Sequence, residues 1–265
     1  MGCKYDLQND IGVNTMNRTK IEWCTHVHNI MTGCLHGCPY CYARKTAENP
    51  FYHKAFPYGF EPHFYPERMS EVQKLKKPAI IFMDSMSDIF GSWWTDEQIL
   101  KVLHIMDYMR GVHWHKYVVL TKNPERMSEV LGGYAKTDGV DRLKNVYFGL
   151  SLDGFASDAN YDRLAELYEI HKGGFKTVLS LEPLLYNPEQ LVGSSIGIAW
   201  LDWIIVGGQT KPTKIPEERW VINIAKATYP GQPLLVKKNC GEGYGNHFHD
   251  FPVDLLPIAV AWGKI

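Results

Sequence analysis

Cys34, Cys38 and Cys41 crowd into the stretch MTGCLHGCPYCYARK (31–45), which takes three of the six cysteines in a chain of 265 residues. The spacing is C-x3-C-x2-C, and Gly33 and Gly37 allow the tight backbone that wraps a small inorganic object. Three closely spaced thiolates can hold three corners of a cubane iron-sulfur cluster and leave one iron open. No further cysteine follows soon after Cys41 to close that position, so the pattern points to chemistry at the open iron more than to passive electron transfer. The competing donor set is structural zinc, using the three cysteines with Cys24, His26, His28 or His36. Zinc knuckles usually show paired C-x2-C halves, which are missing here.

Such a loop needs a scaffold, and the rest of the chain supplies a regular one. Short β-rich runs recur: AIIFMDS (79–85), KYVVLTK (116–122), NVYFGLSL (145–152), KTVLSLEP (176–183), DWIIVGG (202–208) and PLLVKK (233–238), with HNIMTG (28–33) expected as the first strand leading into the cysteines. Near-continuous apolar runs suit strands covered on both faces, the habit of parallel sheets. Helix starts lie between them. Thr95 with Gln98 makes a capping box, and Asn123-Pro124 and Asn187-Pro188 put a capping residue before proline. Strand and helix alternate about seven times, so the expected fold is α/β, a partial (β/α) TIM-type barrel, with a doubly wound sheet second. In either fold the chemistry gathers at the carboxyl ends of the strands. Those ends read Thr32-Gly33-Cys34, Asp84-Ser85-Met86-Ser87-Asp88, Thr121-Lys122, Ser151-Leu152-Asp153, Glu182, Gly207-Gly208-Gln209 and Lys237-Lys238.

The triplet with aromatic Tyr40 before its last cysteine resembles the signature of radical S-adenosylmethionine (SAM) enzymes. That resemblance implies a [4Fe-4S] cluster on Cys34, Cys38 and Cys41, with SAM chelating the open iron. It also implies an external electron donor, reductive cleavage of SAM to a 5'-deoxyadenosyl radical, and hydrogen abstraction from a substrate. TKIEW, DSMSDIF, VLTKNPERM, SLEPLL and DWIIVGG look like recurring segments of a phage-associated radical SAM family of unassigned function, across roughly residues 17 to 240. Many members of that family have a longer gap between the first two cysteines. More distantly, the order of rim residues resembles the spore photoproduct lyases. Carried over by position, that likeness implies SAM contacts from Ser85 and Ser87 (amino or carboxylate end), Lys122 (carboxylate) and Ser151 (ribose or carboxylate region), with Tyr40 beside the adenine. Lysine offers a point charge to a carboxylate, and hydroxyls both donate and accept. The lyases' hydrogen-donor cysteine is replaced here by Met83-Asp84, which argues against lyase activity itself.

Other residues carry two readings. Glu182 is a candidate acceptor for the SAM ribose or ammonium, or a carboxylate paired with Lys122 or Lys237 across the barrel. Cys240 is a candidate hydrogen-atom donor, or a plain loop thiol. Asp88 either orients the serines or caps the segment leading to Trp93. The expected organisation is one domain over 1–265, with an N-terminal extension (1–16), an aromatic-rich insertion (48–78) and a C-terminal segment (238–265). Part of that insertion, 48–69, either covers the cluster, stacks on a flat substrate such as a base, or only packs. A net charge of -1 and a pI near 6.8 exclude a global basic field, so nucleic acid stays open as a substrate without support from charge. No apolar stretch approaches the roughly 20 residues of a membrane span, and a cytoplasmic protein without a membrane partner is expected. The alternative function is a metal-stabilised nucleic-acid or protein binding module without SAM chemistry.

Overall fold

The computed structural model describes residues 16–108, 113–153, 158–241 and 248–265. The N-terminal residues 1–15, with Cys3, lie outside them. One eight-stranded sheet organises the molecule: β1 (Met16–Arg18), β2 (His26–His28), β3 (Ile80–Met83), β4 (Lys116–Thr121), β5 (Val146–Leu152), β6 (Lys176–Leu181), β7 (Trp203–Val206) and β8 (Leu234–Val236). The strands stand side by side in chain order, and every neighbouring pair from β2 to β8 is parallel; only β1 joins antiparallel, on the edge of β2. Consecutive order leaves no reversal point, so the doubly wound alternative is excluded and the partial barrel holds.

Helices α1 (Tyr42–Ala47), α2 (Asp96–Met106), α3 (Pro124–Thr137), α4 (Asp158–Lys172), α5 (Glu189–Val192), α6 (Glu218–Ala227) and α7 (Leu256–Ala261) accompany the strands. The Thr95 capping box forms in full at α2. Asn123 caps α3 by position only, its side chain donating instead to Phe90 O. Alternation within each strand divides the core. Phe148, Leu150, Leu179 and Ile204 join Ile99, Met127 and Leu164 of the helices in the outer core. Ile80, Val118, Tyr147, Val178, Trp203, Ile205 and Leu235 point the other way and fill the barrel interior.

The amino end of that interior is closed by the C-terminal segment, whose Phe251, Leu255, Ile258 and Ala259 join the interior cluster. Asp254 accepts from Lys116 Nζ (2.9 Å), Lys176 Nζ (2.6 Å) and Tyr147 Oη (2.5 Å), three groups at the starts of β4, β6 and β5. The carboxyl ends of the parallel strands lie at the opposite end from this segment.

One sequence expectation needs correcting. The first parallel strand is His26–His28, not HNIMTG, and Met31–Thr32 pairs antiparallel with His63–Phe64 of the insertion. Asp84 is the physical reason. Its Oδ1 accepts from the amides of Ile30 (2.5 Å) and Met31 (2.7 Å), diverting them from the ladder. Burial raises the Asp84 pKa to about 7 despite those two bonds.

Candidate active site

The cysteine loop leaves the Met31–Thr32 strand through Gly33, which has φ +82°. A Cβ there would stand 2.3 Å from Glu61 O, so both conformation and packing demand glycine. Gly33 N donates to Met86 O (2.9 Å) and Ser87 Oγ donates to Gly33 O (2.7 Å), which stitches the loop to the segment after β3. Cys41 caps α1, and its Sγ accepts from Arg44 N (3.3 Å). Arg44 also donates to Cys34 O (3.2 Å) and lies over the Phe60 ring. Phe56 and Phe60 of the insertion pack with Cys34, Cys41, Ala43 and Met86, so the insertion covers one side of the loop.

All three thiols are partly exposed. Burial pushes the Cys34 thiol up to about 12, with Asp88 and the other two cysteines adding to the rise. Burial likewise raises Cys38, opposed by the nearby Lys122. Lys122 Nζ donates to Ser151 O (3.2 Å) and lies 5.7 Å from the Tyr40 ring centroid. Tyr40 Oη donates to Asp153 (3.1 Å). Cys38, Tyr40, Lys122, Ser151 and Asp153 therefore meet at the carboxyl ends of β4 and β5. Asp153 reads from sequence as a strand-end residue with no role of its own; it follows directly on the last residue of β5.

The serines after β3 spend their hydrogens on the scaffold: Ser85 Oγ donates to Asn29 Oδ1 (3.2 Å), and Ser87 to Gly33 as above. Glu182 lies across the barrel. Lys237 Nζ donates to its Oε1 (2.6 Å), and Trp23 Nε1 (2.8 Å) and Ser180 Oγ (3.4 Å) donate to its Oε2. Of its two suggested partners, Lys237 is the one present. Gly207 makes room, since a Cβ would meet Glu182 Oε1 at 2.5 Å. Cys240 is buried in the outer core with its thiol directed at Val206 O (3.6 Å), and burial raises its pKa to about 12. Asp88 does not touch the serines; its carboxylate binds His36 and the end of β4.

Three partly exposed thiols on one short loop are a donor set that suits a cubane with one open iron. Among the described residues, no group of three or more His, Cys, Asp and Glu converges in the manner of a one-ion site. Of the extra zinc ligands considered, Cys24 is in the barrel interior, His26 bonds Thr25 and His28 bonds Arg68 O, while His36 stays in the loop with its Nε2 on Asp88 (2.7 Å). A cavity of about 220 Å³ beside Lys54, Tyr65 and Arg68 contains none of the candidate residues.

A family model described as "Protein of unknown function (DUF5131)" matches residues 18–242. The chain belongs to that family. No curated protein matches the sequence significantly. In fold it is similar to spore photoproduct lyase. The lyase complexed with dinucleoside spore photoproduct aligns with a TM-score of 0.51 at 15% identity, covering 83% of this chain and 65% of that one. A lyase variant with bound AdoMet and the same dinucleoside gives 0.52, 15%, 83% and 65%, and a tyrosine-to-phenylalanine variant gives 0.52, 15%, 85% and 66%. This DUF5131 chain thus spans about 65% of the lyase's length, and the likeness is one of fold. Among the described residues no helix is long and apolar enough to cross a membrane.

Proposed function

We propose that this DUF5131 protein is a radical SAM enzyme. Cys34, Cys38 and Cys41 would hold a [4Fe-4S] cluster, and SAM would lie between that loop and the ends of β4 and β5. The observation that carries the reading is the joint position of the cysteine loop, Tyr40, Lys122 and Ser151 at the carboxyl ends of β4 and β5. The likeness in fold to a radical SAM enzyme supports it. When bound and reduced by an external donor, the cluster would supply the one electron needed for reductive cleavage of the C5'–S bond of SAM, giving methionine and a 5' carbon able to take a hydrogen atom from substrate.

This chain's own residues bind and orient. Lys122 provides a positive charge suited to the SAM carboxylate beside Cys38, and Tyr40, fixed by Asp153, provides a flat face for adenine. Ser151 Oγ, Ser85 and Ser87 offer hydroxyl lone pairs on the same rim, while Glu182 is held by Lys237 on the opposite wall. Cys240, buried in the outer core with its thiol directed at Val206 O, has a packing role in this reading. Residues 1–265 are read as one domain in the cytoplasm, where thiols stay reduced. The lyase structures carry a dinucleoside, so a nucleic-acid-like substrate is the first class to test; the phage association implied by sequence agrees with it.

The reading is tested by anaerobic reconstitution followed by calorimetric titration with SAM. About four irons per chain and saturable binding lost in Lys122→Ala are expected. A colourless protein holding one tight zinc, with no SAM binding, would instead identify a metal-stabilised binding module.

A further inference from the structure

Asp88 is buried, and its carboxylate collects four donors from three segments. Oδ1 accepts from Thr121 Oγ1 (2.7 Å) and Phe90 N (3.0 Å). Oδ2 accepts from Lys122 N (2.8 Å) and, if that nitrogen carries the proton, from His36 Nε2 (2.7 Å). His36 lies between Cys34 and Cys38, and its ring meets Trp93 edge to face at 5.1 Å. Asn123 Nδ2 donates to Phe90 O (3.0 Å) and Trp94 Nε1 to Asp88 O (2.9 Å), so the carboxylate itself is rigidly held. One oxygen therefore ties the middle of the cysteine loop to the backbone of Lys122, the residue whose ammonium reaches across Tyr40.

We propose that Asp88, acting through His36, is a positioning residue that sets the distance between the cysteine loop and Lys122, and so the gap into which SAM fits. The inference rests on the radical SAM reading for the identity of the ligand, and on this chain's hydrogen bonds alone for the linkage. Such a tie acts on ligand affinity without being a cluster ligand. Outer-shell partners of this kind are worth about tenfold or more when removed.

Two variants isolate the tie. His36→Phe keeps a ring against Trp93 but removes the donor, and His36→Gln restores an N–H at a similar reach. Asp88→Asn presents an amide N–H toward Lys122 N and His36 and serves as the second line of attack. In metal-free protein, hydrogen exchange of the loop amides 33–41 should rise about tenfold in His36→Phe, the worth of one hydrogen bond, with α3 unchanged and His36→Gln near wild type. After reconstitution, His36→Phe should keep the wild-type iron content and lose about tenfold in SAM affinity by calorimetry, with recovery in His36→Gln. Unchanged exchange, or SAM affinity within about twofold of wild type at equal iron, overturns the proposal. Absence of SAM binding by the wild type overturns the radical SAM reading instead, and the exchange measurement still decides the linkage.

Discussion

Replacing Lys237 by Met should destabilise the metal-free protein markedly. Lys237 Nζ and Glu182 Oε1 are 2.6 Å apart with side-chain exposures of 17% and 18%, so the pair is largely out of water. Removing the lysine leaves the carboxylate with only the Trp23 indole and the long Ser180 bond. Breaking a fully buried pair costs about 3–5 kcal/mol; the residual exposure reduces that to roughly 2–4 kcal/mol. For a chain of this size that is a fall in Tm of about 5–15 °C. Anaerobic urea and thermal unfolding followed by circular dichroism would measure it. The double variant Lys237→Met/Glu182→Gln removes the stranded charge and should recover at least about 1 kcal/mol. Burial alone would lower the Lys237 pKa, but the charge and hydrogen bond of Glu182 outweigh it and raise it above the ordinary 10.5. The stabilisation is therefore fully present below pH 10.5, and is lost only as pH rises through the higher native value. A Lys237→Met protein within about 0.5 kcal/mol of wild type at pH 7, or a double variant no better than the worse single one, would refute this account.

Cys38→Ala should lower reconstituted iron well below the about four per chain of a full cubane, while the unfolding midpoint of the metal-free protein stays within about 1 kcal/mol; iron assay and urea titration check both. Because native Asp84 holds its proton up to about pH 7 while the unfolded chain releases it near 3.8, stability should fall between those pH values, by at most about 4 kcal/mol. Asp84→Asn should flatten that slope in urea titrations run from pH 4 to 8. Gly33→Ala, forced to φ +82° against Glu61 O, should cost more than the about 1–2 kcal/mol of the left-handed conformation alone, read from the urea midpoint. Burial would raise Asp254, but its bonds from Lys176, Tyr147 and Lys116 hold it near 2. Its contribution is present above the ordinary 3.8 and lost as pH falls through 2, and Asp254→Asn should cost about 1–2 kcal/mol at pH 7.

The cysteine loop and the parallel strands were legible because each rests on local pattern: spacing for one, apolar runs ending in polar residues for the other. Lys122 and Ser151 were found as strand ends for the same reason. Local pattern misplaced the first strand, because the carboxylate that diverts the Ile30 and Met31 amides lies more than fifty residues later. For Asp88 the capping reading holds, since Phe90 N donates to its Oδ1, but local pattern gave no sign of His36, Thr121 and Lys122. A buried carboxylate with four donors depends on His36, Phe90, Thr121 and Lys122 arriving together, and only the fold decides that. Glu182 had its true partner among the alternatives, yet nothing in SLEPLL distinguishes Lys237 from Lys122. Trp23 and Asp153 follow the same rule: each contributes one hydrogen bond to a partner more than a hundred residues away.

The central claim is tested most directly by incubating anaerobically reconstituted protein with SAM and dithionite, and following 5'-deoxyadenosine by mass spectrometry. The account predicts its formation with methionine, dependent on reductant, abolished in Cys38→Ala and diminished in Lys122→Ala. Intact SAM in the presence of a fully loaded, reduced cluster would contradict it.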